Sequence, residues 1–293
     1  MTSHPFRFGV NMLVPSSREE WVAKCRRAEE LGYDVVTVAD HLGMPAPFPA
    51  LVLAAEATER VRLGTFVLNA PFYNPALLAR DVAATDQLTG GRIELGLGAG
   101  YVRAEFEAAG MPFPPARERV DHLERTILEL KRLYADPGYQ PRPSQDPGPP
   151  LLLAGRGDRL LRLAAEHARI IAFSGAAPSR DGEFPALADA DAVDERVEYV
   201  RGLLGDRAEE TEFNILVLRL VAPGEREAFL EEARPYLGDI AGDRIDEMPT
   251  FLFGTPERMA ERLRERRERF GFSYLNVTED NMEKFAPVME ALR

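Results

Sequence analysis

Short apolar runs rich in β-branched residues alternate with longer segments in which apolar residues recur at helical spacing, along almost the whole chain. The short runs predict buried strands, and the longer segments predict amphipathic helices. Strands that alternate with helices are typical of parallel βαβ units. The pattern predicts eight strands, over residues 6–12, 34–39, 62–68, 92–98, 150–154, 169–173, 213–221 and 272–277.

Three of the intervening helices carry start signals in the sequence. A capping side chain accepts a hydrogen bond from the first helical turn, and proline is favoured just after it. The predicted caps are Ser16 with Glu19 as a capping box, Asn74 before Pro75, and Thr255 before Pro256, the last helix ending at Gly271. Eight βα units close most naturally into an α/β fold of the (β/α)8 TIM barrel type. We therefore predict one barrel domain over residues 1–293, with insertions on its carboxyl-terminal face.

Three segments depart from the alternation. Residues 137–149 are rich in proline and glycine and precede the fifth strand, which predicts a surface connection on the non-catalytic side. Residues 174–189 follow the sixth strand directly, so they are a candidate lid or a simple variable loop on the active face. Residues 223–254 follow the seventh strand, begin with a helical stretch and are expected to wall the pocket.

Composition narrows the class of partner. The chain has 36 basic and 48 acidic residues, a formal net charge of −12, which argues against nucleic acid and against an anionic membrane surface. Its one cysteine, Cys25, excludes an intramolecular disulfide and fits a small buried apolar residue. The first residues do not resemble a signal peptide, and no apolar stretch approaches a membrane span. We expect a cytoplasmic protein that acts on a small molecule.

Polar residues follow the predicted strands, where a barrel builds its active site. The second strand ends in Asp40 and His41, and an imidazole exchanges protons near neutral pH. A structural role for His41 is the alternative. Asp40, His41 and Glu279 do not form a spaced ligand cluster, so we expect no metal.

The fourth strand ends in "GLGAGY", with Gly96, Gly98 and Gly100 spaced two apart. Residues two apart in a strand share one face, so this face carries no side-chain atoms. The sixth position of the dinucleotide fingerprint is Tyr101, so that motif fails. Two interpretations stay open: a flat ligand approaches the bare backbone, or the barrel interior packs closely against it.

The fifth strand ends in "AGRGDR". Gly155 and Gly157 flank Arg156, and a helix is predicted from about Asp158. Backbone N–H groups, a helix N-terminus and a guanidinium together favour an anion, and we predict a phosphate. The alternative is a connection in which the glycines only make the turn.

With these residues assembled, the chain resembles the luciferase-like monooxygenase superfamily, and within it the branch that uses the deazaflavin coenzyme F420. The resemblance rests on four segments in the family's order, "AEELGYDVVTVADH", "VRLGTFVLNAPFYNPALLARDVAATDQLTGGRIELGLGAGY", "PLLLAGRGDRLLRLAAEHARIIAF" and "FGTPERMAERLRERRERFGFSYLNV". It implies a (β/α)8 barrel that binds a flavin-type cofactor at the carboxyl ends of its strands, commonly in a homodimer.

The resemblance also implies site residues. Asp40 and His41 match the pair near the reactive ring, with His41 moving a proton and Asp40 orienting it or the ring. Phe66 and Val67 fall where the family often has a non-prolyl cis peptide behind the ring. The implied cofactor-binding residues are Phe66, Val67, Asn69, Ala99, Gly100 and Tyr101 near the ring and tail, and Gly155, Arg156 and Gly157 at the phosphate end.

The sequence departs from some deazaflavin dehydrogenases at two places. "DHLGMPAPF" contains no tryptophan, and Tyr101-Val102-Arg103 stand where those enzymes have a glutamate, which removes support for their sugar-phosphate substrate. We expect an F420-dependent oxidoreductase that exchanges a hydride with a small organic substrate. The alternatives are an FMN-dependent monooxygenase that uses reduced flavin and oxygen, and a flavin-binding protein without turnover.

Overall fold

The computed structural model describes residues 4–177, 186–237 and 244–293. The strands are β1 (Arg7–Met12), β2 (Val35–Val38), β3 (Arg62–Thr65), β4 (Leu68–Asn69), β5 (Ile93–Gly98), β6 (Leu151–Gly155), β7 (Ile170–Phe173), β8 (Ala176–Ala177), β9 (Ala186–Leu187), β10 (Glu212–Val217), β11 (Arg219–Val221), β12 (Phe251–Phe253) and β13 (Phe272–Thr278). The helices are α1 (Arg18–Glu30), α2 (Pro47–Ala57), α3 (Pro75–Leu88), α4 (Arg103–Ala108), α5 (Ala116–Ala135), α6 (Asp158–His167), α7 (Ala190–Leu204), α8 (Arg226–Leu237), α9 (Arg244–Glu247), α10 (Pro256–Phe270) and α11 (Met282–Leu292).

The main sheet has the strand order β3-β2-β1-β13-β10-β7-β6-β5-β4, and β3 also pairs with β5. This additional pairing closes a ring of eight parallel strands, with helices between successive strands. The fold is therefore a (β/α)8 barrel, and the predicted fold class is confirmed.

Two of the predicted strands are divided in the structure. The run 62–68 forms β3 and β4, which are separated by Phe66 and Val67. The run 213–221 forms β10 in the barrel and β11, which instead pairs with β12 in a separate two-stranded sheet. The sequence shows no break at either place because apolar residues continue across it.

The helix caps follow the sequence at two of three sites. Asn74 accepts hydrogen bonds from the N–H groups of Ala76 and Leu77, and Thr255 accepts one from Arg258. Gly271 adopts the left-handed conformation, at φ 84°, that ends α10. The prediction for α1 is wrong by one residue, because the capping box joins Ser17 to Glu20 rather than Ser16 to Glu19.

The chain divides into two compact units, residues 11–170 and residues 1–10 with 171–293. The core of the first is aliphatic and includes Leu51, Leu63, Leu78, Val82, Ile93 and Leu97. The core of the second is aromatic, with Phe173 packed against Phe213 at 5.2 Å and against Phe272 at 5.7 Å between ring centres. A separate apolar cluster in this unit joins α8, α9, β11 and β12 through Val221, Phe229, Ala233, Leu237, Ile245, Met248 and Phe251.

Of the three segments that depart from the alternation of strands and helices, the structure describes the first completely and the other two in part. Gln145 donates hydrogen bonds to Asp86 and to the carbonyl of Ile93, which begins β5, so the connection 137–149 lies at the amino ends of the strands as predicted. The predicted lid, 174–189, includes residues 178–185, and the predicted pocket wall, 223–254, includes residues 238–243; both stretches lie outside the described residues. Within the described ranges, no helix is both long enough and apolar enough to cross a bilayer.

Candidate active site

The carboxyl ends of β2 to β6 follow one another along one edge of the unit formed by residues 11–170. Val38 pairs with Thr65, Asn69 pairs with Gly98, and Leu97 pairs with Leu153. Parallel neighbours end at the same edge. This register brings four sequence-predicted segments to one edge: residues 40–41, 66–69, 98–101 and 155–157.

Asp40 is held by two donors that come from the segment after β3. Its Oδ2 accepts a hydrogen bond from the backbone N–H of Asn69 at 2.9 Å and one from the hydroxyl of Tyr73 at 3.1 Å. Burial raises the pKa of Asp40, and these two hydrogen bonds oppose the rise. The backbone carbonyl of Tyr73 in turn lies 3.0 Å from Nε2 of His122 on α5. The carboxylate is therefore tied to the 69–73 segment.

His41 is paired with Glu105, a residue that the sequence reasoning did not select. Nδ1 of His41 lies 2.7 Å from Oε1 of Glu105, and the two side chains are 30% and 15% exposed. Glu105 lies in the first turn of α4, four residues after Tyr101. Of the two expectations for Asp40, that it orients His41 or the ring, the first is not supported, because the Asp40 carboxylate bonds Asn69 and Tyr73. The signal in the sequence was an acidic residue at the start of the helix that follows the glycine run.

Tyr101 lies beside His41. The two rings meet edge to face, with centroids 6.0 Å apart, and the tyrosine is one of the large residues that stay exposed. A mostly exposed aromatic ring at a strand end is suited to contact a ligand rather than to fill the core. Two residues that the sequence predicted separately, His41 and Tyr101, are thus in contact in the structure.

The peptide bond between Phe66 and Val67 is cis, as the resemblance implied for this position. It lies between β3 and β4, and Phe66 remains attached to β2 through its N–H and the Val38 carbonyl at 2.8 Å. Two residues on, Asn69 is 7% exposed and its Oδ1 has no hydrogen-bond partner among the described residues. A buried amide oxygen without a donor is uncommon in native proteins.

The glycine run faces protein rather than open space. A Cβ on Gly96 would meet the carbonyl of Thr65, one on Gly98 would meet the side chain of Val67, and one on Gly100 would meet the side chain of Asn69. The explanation that these residues are glycine so that a flat ligand can approach this face is therefore wrong. The competing interpretation, close packing of neighbouring backbone, accounts for all three positions.

Arg119 of α5 holds the end of the glycine run. Its Nε donates to the carbonyl of Gly100 at 3.0 Å, and its Nη1 donates to the carbonyl of Pro114 at 2.5 Å. The guanidinium carbon lies 4.2 Å from the ring centre of Phe113. Gly100 has φ +70°, a conformation that disfavours any side chain. Arg119 and the positive φ together fix the turn that leads to Tyr101.

Gly155, Arg156 and Gly157 occupy the connection from β6 to α6. Gly155 packs against Leu160, whereas Gly157 is the N-cap of α6, has no side-chain cap and faces open space. Arg156 is half-buried. The uncapped, exposed start of a ten-residue helix fits the anion site that the sequence predicted, while Gly155 is explained by packing alone.

The strand edge carries no metal cluster among the described residues, and a separate cleft lies away from it. Among the described residues, no group of three or more His, Cys, Asp or Glu side chains is placed to hold a metal ion. A cleft of about 1070 Å³ lies in the other unit and is lined by none of the sequence-predicted site residues; its lining includes Phe6, Glu198, Arg201, Phe213, Arg264 and Arg267. We assign the chemistry to the strand edge because the paired titratable groups converge there.

The known proteins that resemble this chain include an F420-dependent dehydrogenase and a flavin-dependent monooxygenase. The chain is 40% identical over 121 residues to the F420-dependent glucose-6-phosphate dehydrogenase of Intrasporangium calvum, a match that covers 38% of this chain and 36% of that protein. It is 31% identical over 155 residues to the oxygenase component of the flavin-dependent trigonelline monooxygenase of Acinetobacter baylyi, a match that covers 47% and 43%. The matches thus span between about a third and a half of these relatives' length.

A solved structure and a family model cover more of the chain. The F420-dependent secondary alcohol dehydrogenase in complex with an F420-acetone adduct superposes with a TM-score of 0.76 at 19% identity, over 99% of each chain, which shows a common fold. The model of the luciferase-like monooxygenase family matches residues 1–247. The family resemblance drawn from the four sequence segments is confirmed, and the chain belongs to the luciferase-like monooxygenase family.

Proposed function

We propose that the protein is an F420-dependent oxidoreductase that exchanges a hydride between the deazaflavin and a small organic substrate. The observation that carries this proposal is the His41–Glu105 pair, placed with Tyr101 at the strand edge where the glycine run also ends. An imidazole held by a carboxylate is a general acid–base group, and hydride exchange at a carbon that bears an O–H or N–H group needs one to move the proton. The similarity to the glucose-6-phosphate dehydrogenase of Intrasporangium calvum and to the secondary alcohol dehydrogenase, both F420-dependent, supports the same cofactor.

The residues at the edge fit such a cofactor. The buried Oδ1 of Asn69 lacks a donor among the described residues, and the ring system of a flavin-type cofactor carries N–H donors. The open N-cap at Gly157, beside Arg156, suits a phosphate. We assign the ring and tail to Phe66, Val67, Asn69, Ala99, Gly100 and Tyr101, and the phosphate end to Gly155, Arg156 and Gly157. When bound, a deazaflavin supplies hydride exchange with little reactivity towards oxygen.

The protein contributes orientation and proton transfer. His41 takes the substrate proton when a hydride leaves the substrate, and returns it in the reverse direction. Asp40 is held by Asn69 and Tyr73, so we assign it to the cofactor side of the site and not to the proton path. The proposed substrate class is a small molecule that has an oxidisable C–H bond beside an O–H or N–H group.

An FMN-dependent monooxygenase is the second candidate, and the match to the trigonelline monooxygenase favours it. A non-catalytic flavin carrier is the third. The deciding experiment is titration of cofactor-free protein with F420 and with FMN. We expect F420 to bind at least about tenfold more tightly, a difference of about 1.4 kcal/mol. Equal affinities, or FMN that co-purifies at one per chain, contradict the F420 assignment.

Turnover separates the enzyme from the carrier. With reduced or oxidised F420 bound, a panel of alcohols and ketones is screened by the deazaflavin absorbance. His41→Ala should keep the cofactor affinity but slow the single-turnover rate about a hundredfold to ten-thousandfold.

We further propose that the protein is a homodimer in the cytoplasm. The family resemblance supports the dimer, and the composition supports the location.

A further inference from the structure

We infer that Glu105 is a positioning residue that fixes the tautomer of His41, so that Nε2 is the atom that exchanges the substrate proton. This inference rests on the proposed function for its catalytic consequence. The tautomer itself is a property of the cofactor-free protein. It can therefore be tested whether or not the cofactor assignment is correct.

The contact between Nδ1 of His41 and Oε1 of Glu105, at 2.7 Å, determines where the proton lies. An ionised carboxylate only accepts hydrogen bonds, so Nδ1 must carry the proton in this pair. The distance falls within the range of charge-assisted hydrogen bonds. In the neutral imidazole, Nε2 is then the unprotonated atom and the base.

Among the described residues, Glu105 is the carboxylate that bonds Nδ1 of His41. Asp40 precedes His41 in the chain, but its Oδ2 accepts from Asn69 and Tyr73. Asp40 and Tyr101 are the other titratable groups that interact with the pair, Asp40 through its charge and Tyr101 through its ring edge. Within the described part of the chain, Glu105 is the acceptor in reach of Nδ1.

The helix that carries Glu105 is fixed by packing. The next residue, Phe106, is fully buried, with its ring centre 4.8 Å from that of Phe72 and 5.0 Å from that of Phe113. These contacts anchor α4, and a side chain on an anchored short helix has few alternative positions. Glu105 is thus held in place before any ligand binds, as a positioning group requires.

The proton balance follows directly. When a substrate is oxidised, a bound cofactor would accept the hydride from carbon, and the O–H or N–H proton passes to Nε2, which converts the imidazole into an imidazolium with protons on both nitrogens. Its positive charge lies against the Glu105 carboxylate, which stabilises it. In the reverse direction, Nε2 returns the proton to the product and Nδ1 keeps its own.

The test begins with ¹⁵N NMR of the histidine side chains in cofactor-free protein, with His41 assigned through His41→Gln among the four histidines of the chain. At a pH where the imidazole is neutral, we expect the Nδ1–H tautomer in the native protein. Glu105→Ala should return His41 to a mixture of both tautomers. Glu107→Ala is the matched control, because Glu107 lies on the same helix, is largely exposed and pairs only loosely with Arg103 at 4.0 Å.

A native His41 that carries its proton on Nε2, or a tautomer unchanged in Glu105→Ala, overturns the inference. Glu105→Gln keeps the shape of the side chain and serves if the alanine variant does not fold. Failure of F420 to bind contradicts the proposed function but leaves the tautomer result standing, so the two failures are distinguishable.

The kinetic readout comes second. Glu105→Ala should lower kcat about tenfold or more with little change in KM, and Glu105→Asp should recover part of the loss. A purely structural Glu105 would change stability and leave the kcat of the folded protein unchanged, and that result contradicts the inference.

Discussion

At the scale of single residues, the site contains two carboxylates with different partners. Glu105 bonds an imidazole, whereas Asp40 bonds a backbone N–H and a phenol hydroxyl. Burial raises the pKa of Asp40, which means that the folded protein favours its protonated form more than the unfolded chain does. The stabilisation from this proton is present below the unfolded pKa of the group and is lost as the pH rises through the folded pKa.

Tyr73→Phe tests this balance. The hydroxyl of Tyr73 bonds the ionised form of Asp40, so its removal should lower the free energy of unfolding by about 1.5–3 kcal/mol at about pH 7.5 and by less at about pH 3, which is below the ordinary pKa of an aspartate and further below the raised pKa of Asp40. Chemical denaturation at both values measures the difference. Tyr134→Phe is the control, because its hydroxyl bonds the carbonyl of Ala79, which does not titrate. Equal losses in Tyr73→Phe at both values contradict the account.

Arg156→Ala tests the phosphate end. Loss of one charge-assisted hydrogen bond should weaken cofactor binding by about 1.5–3 kcal/mol, roughly tenfold to a hundredfold, while the thermal midpoint of the free protein stays close to that of the native chain. Calorimetric titration measures the affinity. Arg125→Ala, an exposed position on α5, is the control and should bind the cofactor normally. Unchanged affinity in Arg156→Ala removes the phosphate assignment.

At the scale of elements, the glycine run shows how a site is shaped by what packs behind it. Gly96, Gly98 and Gly100 give room to Thr65, Val67 and Asn69; Val67 forms the cis peptide with Phe66, and the other two lie in the strands on either side of it. The glycines therefore let the 65–69 segment lie close against β5. This packing positions that segment and the turn before Tyr101.

Gly96→Ala should therefore cause loss of soluble protein or a large fall in the thermal midpoint, because its Cβ would collide with the backbone carbonyl of Thr65, which cannot rotate away. Gly202→Ala is the control: this glycine lies exposed within α7, with nothing near its added Cβ, and alanine should slightly stabilise the helix. The midpoint is measured by scanning calorimetry. A normally stable Gly96→Ala with impaired cofactor binding would restore the ligand-access explanation.

The sequence predicts elements better than contacts, for reasons visible at particular residues. Asn74 and Thr255 cap their helices as predicted because each is followed by proline, whereas the serine pair 16–17 offers two equivalent caps and the sequence does not choose between them. The sequence predicts one continuous strand over residues 62–68, because the apolar residues continue through Phe66, where the structure ends β3 and turns. Glu105 was missed because its contact with His41 joins residues 64 apart, and only the path of α4 brings them together.

At the scale of the whole molecule, the net charge of −12 argues against a nucleic-acid partner, and the site at the strand edge favours a small molecule. The division between the two compact units falls inside β1 (Arg7–Met12), after its fourth residue. A strand that is cut loses its backbone pairing. The single domain predicted from the sequence stays a prediction, and the division inside a strand is the reason to expect the chain to unfold as one.

Unfolding measured from each unit separately tests that expectation. Trp21, the only tryptophan of the chain, is buried on α1 in the unit formed by residues 11–170, where its indole N–H bonds the carbonyl of Ala50 at 3.1 Å. Its fluorescence reports that unit, and Tyr199→Trp in a Trp21→Phe background reports the other from α7. A single domain should give coincident transitions in guanidinium with both probes and with circular dichroism. Trp21→Phe alone, followed by circular dichroism, controls for the lost hydrogen bond. If the Tyr199→Trp signal changes at a denaturant concentration where the Trp21 environment is still native, the units unfold independently and the chain behaves as two domains.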